Sequence, residues 1–173
     1  MSEMNLFEAI ERRGSIRSFK DEPIDKDVLL KIAKAGTYSA TARNNQTRRF
    51  TIVTNPDVIK ELAQVIGVGI DRVDYDLYHP AAVILVSTTK YNKNAGVEIG
   101  LASQNMWLAA TALGIGMAWT NQMRDVTNYK NVRQVLDKLD IPSDHICLNA
   151  LVLGIPNTMA EPKAREEVIK FVE

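Results

Sequence analysis

A chain of 173 residues, 46% hydrophobic and 24% charged, is long enough to form one domain with a sizeable buried core. Its 21 basic and 21 acidic side chains cancel, leaving no global field to draw nucleic acid or an anionic membrane, so any electropositive site has to be local. The lone cysteine, Cys147, excludes an internal disulfide and suits a reducing compartment; with no signal-peptide layout and no apolar run of ~18 residues, a cytoplasmic protein forming one domain over residues 1–173 is expected.

Residues Glu3 to Arg13 read as a helix with Leu6, Phe7 and Ile10 on one face, ended by Gly14. An extended segment from Ser15 to Phe19 follows. Asp25 is the expected N-cap of a second helix that turns Val28, Leu29, Ile32 and Ala33 inward. Residues 39–49 form a polar loop, and residues 50–54 a strand rich in β-branched side chains. Asn55 and Pro56 open a third helix, as cap and first-turn proline, with Ile59, Leu62, Ala63 and Ile66 on its apolar face. Residues 81–87 are continuously apolar, the pattern of a central strand covered on both sides.

In the segment from Gly96 to Leu113 the apolar residues go all the way round, with the small residues Gly100, Ala102, Ser103, Ala109, Ala110 and Ala112 scattered among them. That composition predicts a buried helix closely approached by another backbone, in a chain this short a second copy of itself. Residues 114–119 turn into a strand, Val132, Val135, Leu136 and Leu139 mark an amphipathic helix, and residues 147–153 form the last core strand. Strands and helices mix without strict βαβ alternation, which favours an α+β fold. The tail over residues 168–172 is apolar and β-prone, and is expected to dock, on this chain or on a partner.

Three segments carry the polar chemistry. In an extended segment Arg13, Ser15 and Arg17 share one side, because side chains alternate, and two guanidinium groups and a hydroxyl suit a phosphate monoester. Such a string is also what a solvated basic helix end looks like. In the loop Ala40-Thr41-Ala42-Arg43-Asn44-Asn45-Gln46, Asn44 and Gln46 can donate and accept at once, although asparagine also serves turns. Lys163 and Arg165 add two cations near the C-terminus, where solvated tail charges are common. His79, His145 and Cys147 do not fall at metal-ligand spacings, so no metal site is expected. Glycines at 67–69 and 114–116 lack the G-x-G-x-x-G pattern of a dinucleotide fold, and Trp107 and Trp119 read as core residues.

The order and spacing of these segments resemble the FMN-dependent nitroreductase family. R-x-S-x-R after a first helix is matched by Arg13, Ser15 and Arg17, and the family's P-[ST]-A-x-N-x-Q-P-W-x-F loop by Ala40 to Phe50. L-x-A-x-x-L-G-x-G is matched by Leu108 to Gly116, L-G-[YI]-P by Leu153 to Pro156, and K-x-R by Lys163 and Arg165. The chain departs from the pattern at Ala40, where the family has Pro, at Thr47-Arg48, which replace Pro-Trp, and in the short Thr89–Gly96 linker.

The resemblance implies a nitroreductase-like fold, with a central, mainly antiparallel sheet flanked by helices, built as an intertwined homodimer that holds FMN at its interface. It implies cofactor contacts from Arg13, Gly14, Ser15 and Arg17, from Ala40, Thr41, Ala42, Asn44 and Gln46, from Thr120 and Asn121, and from Lys163 and Arg165. Arg13, Ser15, Lys163 and Arg165 would take the phosphate, Arg17 and Asn44 the polar ring edge, and backbone groups near Thr120–Gln122 the flavin N5. No catalytic side chain is implied. The implied partners are NAD(P)H and a small electron-poor acceptor, a nitroaromatic or a quinone, reduced by a ping-pong mechanism. A rival reading keeps the fold and the flavin but not NAD(P)H turnover, as a flavin-binding or sensing module; a second rival is a degenerate structural domain.

Overall fold

Four segments dominated by β-branched and aliphatic residues pair into one antiparallel sheet: β1 (Arg49–Val53), β2 (Ala82–Thr89), β3 (Gly116–Thr120) and β4 (His145–Gly154), in the order β1-β2-β4-β3. The computed structural model describes residues 4–173. Helices α1 (Leu6–Arg12), α2 (Lys26–Thr37), α3 (Pro56–Gly69), α4 (Ala95–Ala112), α5 (Met123–Val126) and α6 (Lys130–Lys138) complete the α+β fold. On one face of the sheet, α3, α5 and α6 bury Leu62, Ile66, Met123, Val126 and Leu136 against Val83 and Val152; on the other, α2 and α4 bury Ile32, Met106 and Ala110 against Ile84 and Leu151. β2 is buried along nearly its whole length, its apolar run over residues 82–86 covered on both faces and continued by buried Ser87 and Thr88.

Local signals act where they were expected. The Asp25 carboxylate accepts from the Asp27 N–H at 2.7 Å, and Asn55 Oδ1 accepts from Asp57 and Val58, with Pro56 in the first turn. The first helix starts at Leu6 behind an Asn5 cap; the expected start at Glu3 lies outside the described residues. Gly14 does not stop this helix by a left-handed turn. The chain already leaves α1 at Arg13, at φ −57° and ψ 119°, so backbone extension ends the helix.

Among the described residues, three apolar surfaces find no cover. The stripe on α1 faces outward, with Leu6 61% and Phe7 75% exposed, while Ala9 is the residue that packs inward. One side of α4 joins the core through Ile99, Ala102, Met106 and Ala110, but Val97 and Leu101 are exposed and a side chain added at Gly100 would meet nothing within 4 Å. The C-terminal tail does not dock on the described residues of its own chain: Val168, Ile169, Phe171 and Val172 are all exposed. Cys147 is buried in β4, and burial pushes its thiol up to about 12, so it is an inert core group at neutral pH.

Candidate functional site

The stretch from Ile16 to Lys20 lies along the end of the sheet. Ile16 N–H donates to the Met117 carbonyl at 2.9 Å, Lys20 N–H to Ile155 at 2.8 Å, and Phe19 bridges Pro156. Gly116 and Gly154 make this approach possible, since a Cβ on either would fall within 3 Å of Ile16 or Phe19 atoms. The chain then returns past Gly14, whose own added Cβ would sit 2.3 Å from that of Ala160. Three distant parts of the sequence are thereby packed into one unit.

The result is a concavity of about 330 Å³ lined by Arg13, Gly14, Ser15, Arg17, Ala160, Glu161, Lys163 and Arg165. Four cations face one carboxylate there, on a chain with no net charge, so the local field favours an anion. Two of the arginines rest on aromatic rings. The Arg13 guanidinium carbon is 4.6 Å from the Trp107 ring centroid, and that of Arg17 is 5.7 Å from Tyr78. Tyr78 belongs to a left-handed run, Leu77 to His79, anchored by fully buried Leu77 and by the Tyr78 N–H donating to Asp76 Oδ1 at 2.8 Å. A larger concavity of about 620 Å³, between α3 and residues 73–80, gathers three carboxylates with Lys60 and His79 and contains none of the expected residues.

A separate concavity of about 520 Å³ is lined by Ala40, Thr41, Asn44 and Gln46 together with Thr37, Tyr38 and Ser39; Ala42 lies in the same loop. It shares no lining residue with the cationic pocket. Arg43, Asn44 and Gln46 all have positive φ, a conformation that asparagine tolerates and the other two adopt under strain. What holds the loop is polar. Glu98, 2% exposed on α4, accepts the Ala42 N–H at 2.8 Å through one oxygen and the Asn92 side-chain amide at 2.9 Å through the other. Arg48 donates to the Ser39 hydroxyl, to the Ser39 carbonyl at 2.8 Å and to the Glu98 carbonyl at 3.2 Å, and the Thr47 and Thr88 hydroxyls meet at 2.8 Å.

This network occupies the place where the resemblance leads one to expect Pro-Trp, and the short 90–94 turn supplies its Asn92. Burial lowers the Arg48 pKa, with the Glu98 carboxylate pulling the other way. Removing that carboxylate would leave a partly desolvated cation and an unpaired Ala42 N–H. Glu98→Ala should therefore destabilise the fold by about 3 kcal/mol, a Tm loss of several degrees. An unchanged melting curve would show that the loop is held by something else.

Thr120 is buried, and its hydroxyl donates to the Ala150 carbonyl at 2.7 Å, so its side chain serves the sheet and only its backbone is available to a ligand. Asn121 is exposed just beyond β3, and its carbonyl accepts from Arg124. Both lie outside the two concavities. Glu98, Arg48 and Trp107 emerge as supports of the site only from the structure. For Glu98 a signal was present, because it is the one charged side chain in α4.

The nitroreductase family model matches residues 10–155. A Methanothermobacter thermautotrophicus protein, provisionally named an NADH dehydrogenase/NAD(P)H nitroreductase, is 28% identical over 159 residues, covering 90% of this chain and 80% of its own length. A Staphylococcus epidermidis NADPH-dependent oxidoreductase is 24% identical over 168 residues, and the chain spans 65% of that relative's length. Among solved structures, a Bacteroides fragilis nitroreductase with bound FMN superposes with a TM-score of 0.88 at 28% identity, covering 98% of this chain and 100% of that one.

Proposed function

The chain belongs to the nitroreductase family, and we propose that it is an FMN-dependent oxidoreductase that uses NAD(P)H to reduce nitroaromatics, quinones or related electron-poor acceptors. The observation that carries this reading is the convergence of Arg13, Ser15, Arg17, Lys163 and Arg165 on one small pocket. Guanidinium forks, an ammonium and a hydroxyl are the donor set of a terminal phosphate, and the Bacteroides fragilis structure of the same fold contains FMN. FMN, when bound, supplies hydride acceptance and onward electron transfer.

The protein's task is then to bind, orient and expose that group. Arg13, Ser15, Lys163 and Arg165 take the phosphate; Arg17 and Asn44 meet the polar edge of the ring, where a fixed positive charge favours the reduced form. The backbone of Thr120 and Asn121 borders the reactive ring position, and Gly14, Ala40, Thr41, Ala42 and Gln46 complete the contacts. The reading gives no catalytic role to a side chain and includes no metal; protons come from solvent or substrate.

The reading treats residues 1–173 as one FMN-binding domain of a homodimer. Two features support the dimer: uncovered apolar surface on α1, α4 and the tail, and two donor sets that lie in separate concavities of one chain. A cofactor reaching from the cationic pocket of one copy to the 40–46 loop of the other would use both. Among the described residues no helix is long and apolar enough to cross a membrane, and a lone, buried cysteine fits the cytoplasm.

Nicotinamide and acceptor should take turns at one cavity. Steady-state plots against NAD(P)H and a quinone should then be parallel, and cofactor released by acid should co-migrate with FMN. Intersecting lines would indicate a ternary complex, and FAD in the extract would overturn the assignment of the phosphate pocket.

A further inference from the structure

We propose that Trp107 is the positioning residue for the phosphate end of the site: its indole presets Arg13 and the Gly14 carbonyl before any ligand arrives. The inference rests on the FMN reading of the cationic pocket. Trp107 is a buried residue of α4, 7% exposed, yet its two directed contacts are with the turn that leaves α1. The indole Nε1–H donates to the Gly14 carbonyl at 3.2 Å, and the Arg13 guanidinium lies over the ring at 4.6 Å.

Each contact has a consequence for an anion. A buried indole N–H needs an acceptor, and this one is spent on a loop carbonyl, tying α4 to the R-x-S-x-R segment. With the Gly14 carbonyl turned to the indole, the planar trans peptide aims the Ser15 N–H the other way. The contact with Arg13 uses its positive charge and not its N–H donors, which stay available for phosphate oxygens. An arginine already laid on a ring has also lost rotamer freedom that a free one would lose on binding. On its other side the same turn is clamped by Ala160, which leads the tail carrying Lys163 and Arg165. One indole thus forms a wall behind Arg13 and the turn that carries it.

FMN and riboflavin differ by the phosphate alone, so their relative affinity isolates this role from a general contribution to folding. Dissociation constants for both should be measured by flavin-fluorescence titration of the flavin-stripped wild type, W107L and W107F. W107L removes ring and N–H together and should weaken FMN about tenfold while leaving riboflavin within about twofold. W107F keeps a ring under Arg13 and loses only the N–H, and should lower the FMN-to-riboflavin preference about threefold. It decides the matter if W107L fails to fold. A preference that survives both substitutions, or affinities for the two ligands that fall in parallel, would overturn the inference and leave the FMN reading standing. A wild type that binds the two flavins equally would overturn the phosphate assignment itself, and this inference with it.

Discussion

Arg13→Ala should weaken FMN binding by about 1.5–3 kcal/mol, roughly a 10- to 150-fold rise in Kd. The size follows from what is lost. On the proposed reading Arg13 would supply a charge-assisted hydrogen bond to a phosphate dianion, in a pocket that gathers four cations and with its guanidinium already lying over the Trp107 ring. Arg13 is half-buried at the end of α1 and its guanidinium rests on a ring face alone, so the deficit should appear chiefly in binding and only slightly in the melting temperature. Lys163 and Arg165 remain in the pocket and cannot replace a fork fixed at that place. A flavin titration reads the effect directly, and an unchanged Kd would remove Arg13 from the site.

Gly100→Leu should convert a dimer into a monomer without unfolding the chain. Within one copy a side chain at Gly100 has open space, so the substitution meets no obstacle there. Against a second copy packed on the outer face of α4, beside Val97 and Leu101, it overpacks the contact and costs about 1–3 kcal/mol or more at each helix. Because the 40–46 loop and the cationic pocket are separate in one chain, the monomer should also lose FMN. Light scattering at micromolar concentration distinguishes the outcomes. A wild type that is already monomeric, or a G100L variant that stays dimeric and yellow, would move the interface elsewhere.

Gly100 lies at a position whose partner the sequence alone does not specify. A helix whose apolar residues go all the way round announces that it is covered on every side, but it has no distinct polar face from which to tell own core from partner. Ala110 and Gly100 look equivalent in the sequence, yet Ala110 is fully buried among the chain's own residues and Gly100 faces open space. The same limit applies to α1, where the Leu6, Phe7 and Ile10 stripe was legible and its outward direction was not. Where the cause is local, the sequence speaks plainly: Asn55 and Pro56 start α3 by chemistry contained in three residues, and the apolar run of β2 marks a central strand.

The candidate site divides along the same line. The cationic residues could be read because arginine, serine and lysine carry their chemistry wherever they are placed, and Gly116 and Gly154 admit the segment that brings them together. The supports could not. Trp107 reads as a core residue until Arg13 is found lying on it, and Tyr78 is delivered by three consecutive left-handed residues that no local composition foretells. Arg48 replaces an aromatic residue of the family pattern with a hydrogen-bonded cation, a change of means that only the contacts with Ser39 and Glu98 reveal.

Anaerobic mixing of the purified protein with NADH and with NADPH tests the central claim most directly. The account predicts a yellow protein whose flavin absorbance is bleached by at least one nucleotide and restored by a quinone or a nitroaromatic. The linker between β2 and α4, short against the family pattern, leads us to expect that air restores the colour too. A flavin that neither nucleotide reduces would contradict the account and make the protein a flavin-binding module; a preparation that takes up no flavin would leave the cationic pocket without the ligand assigned to it.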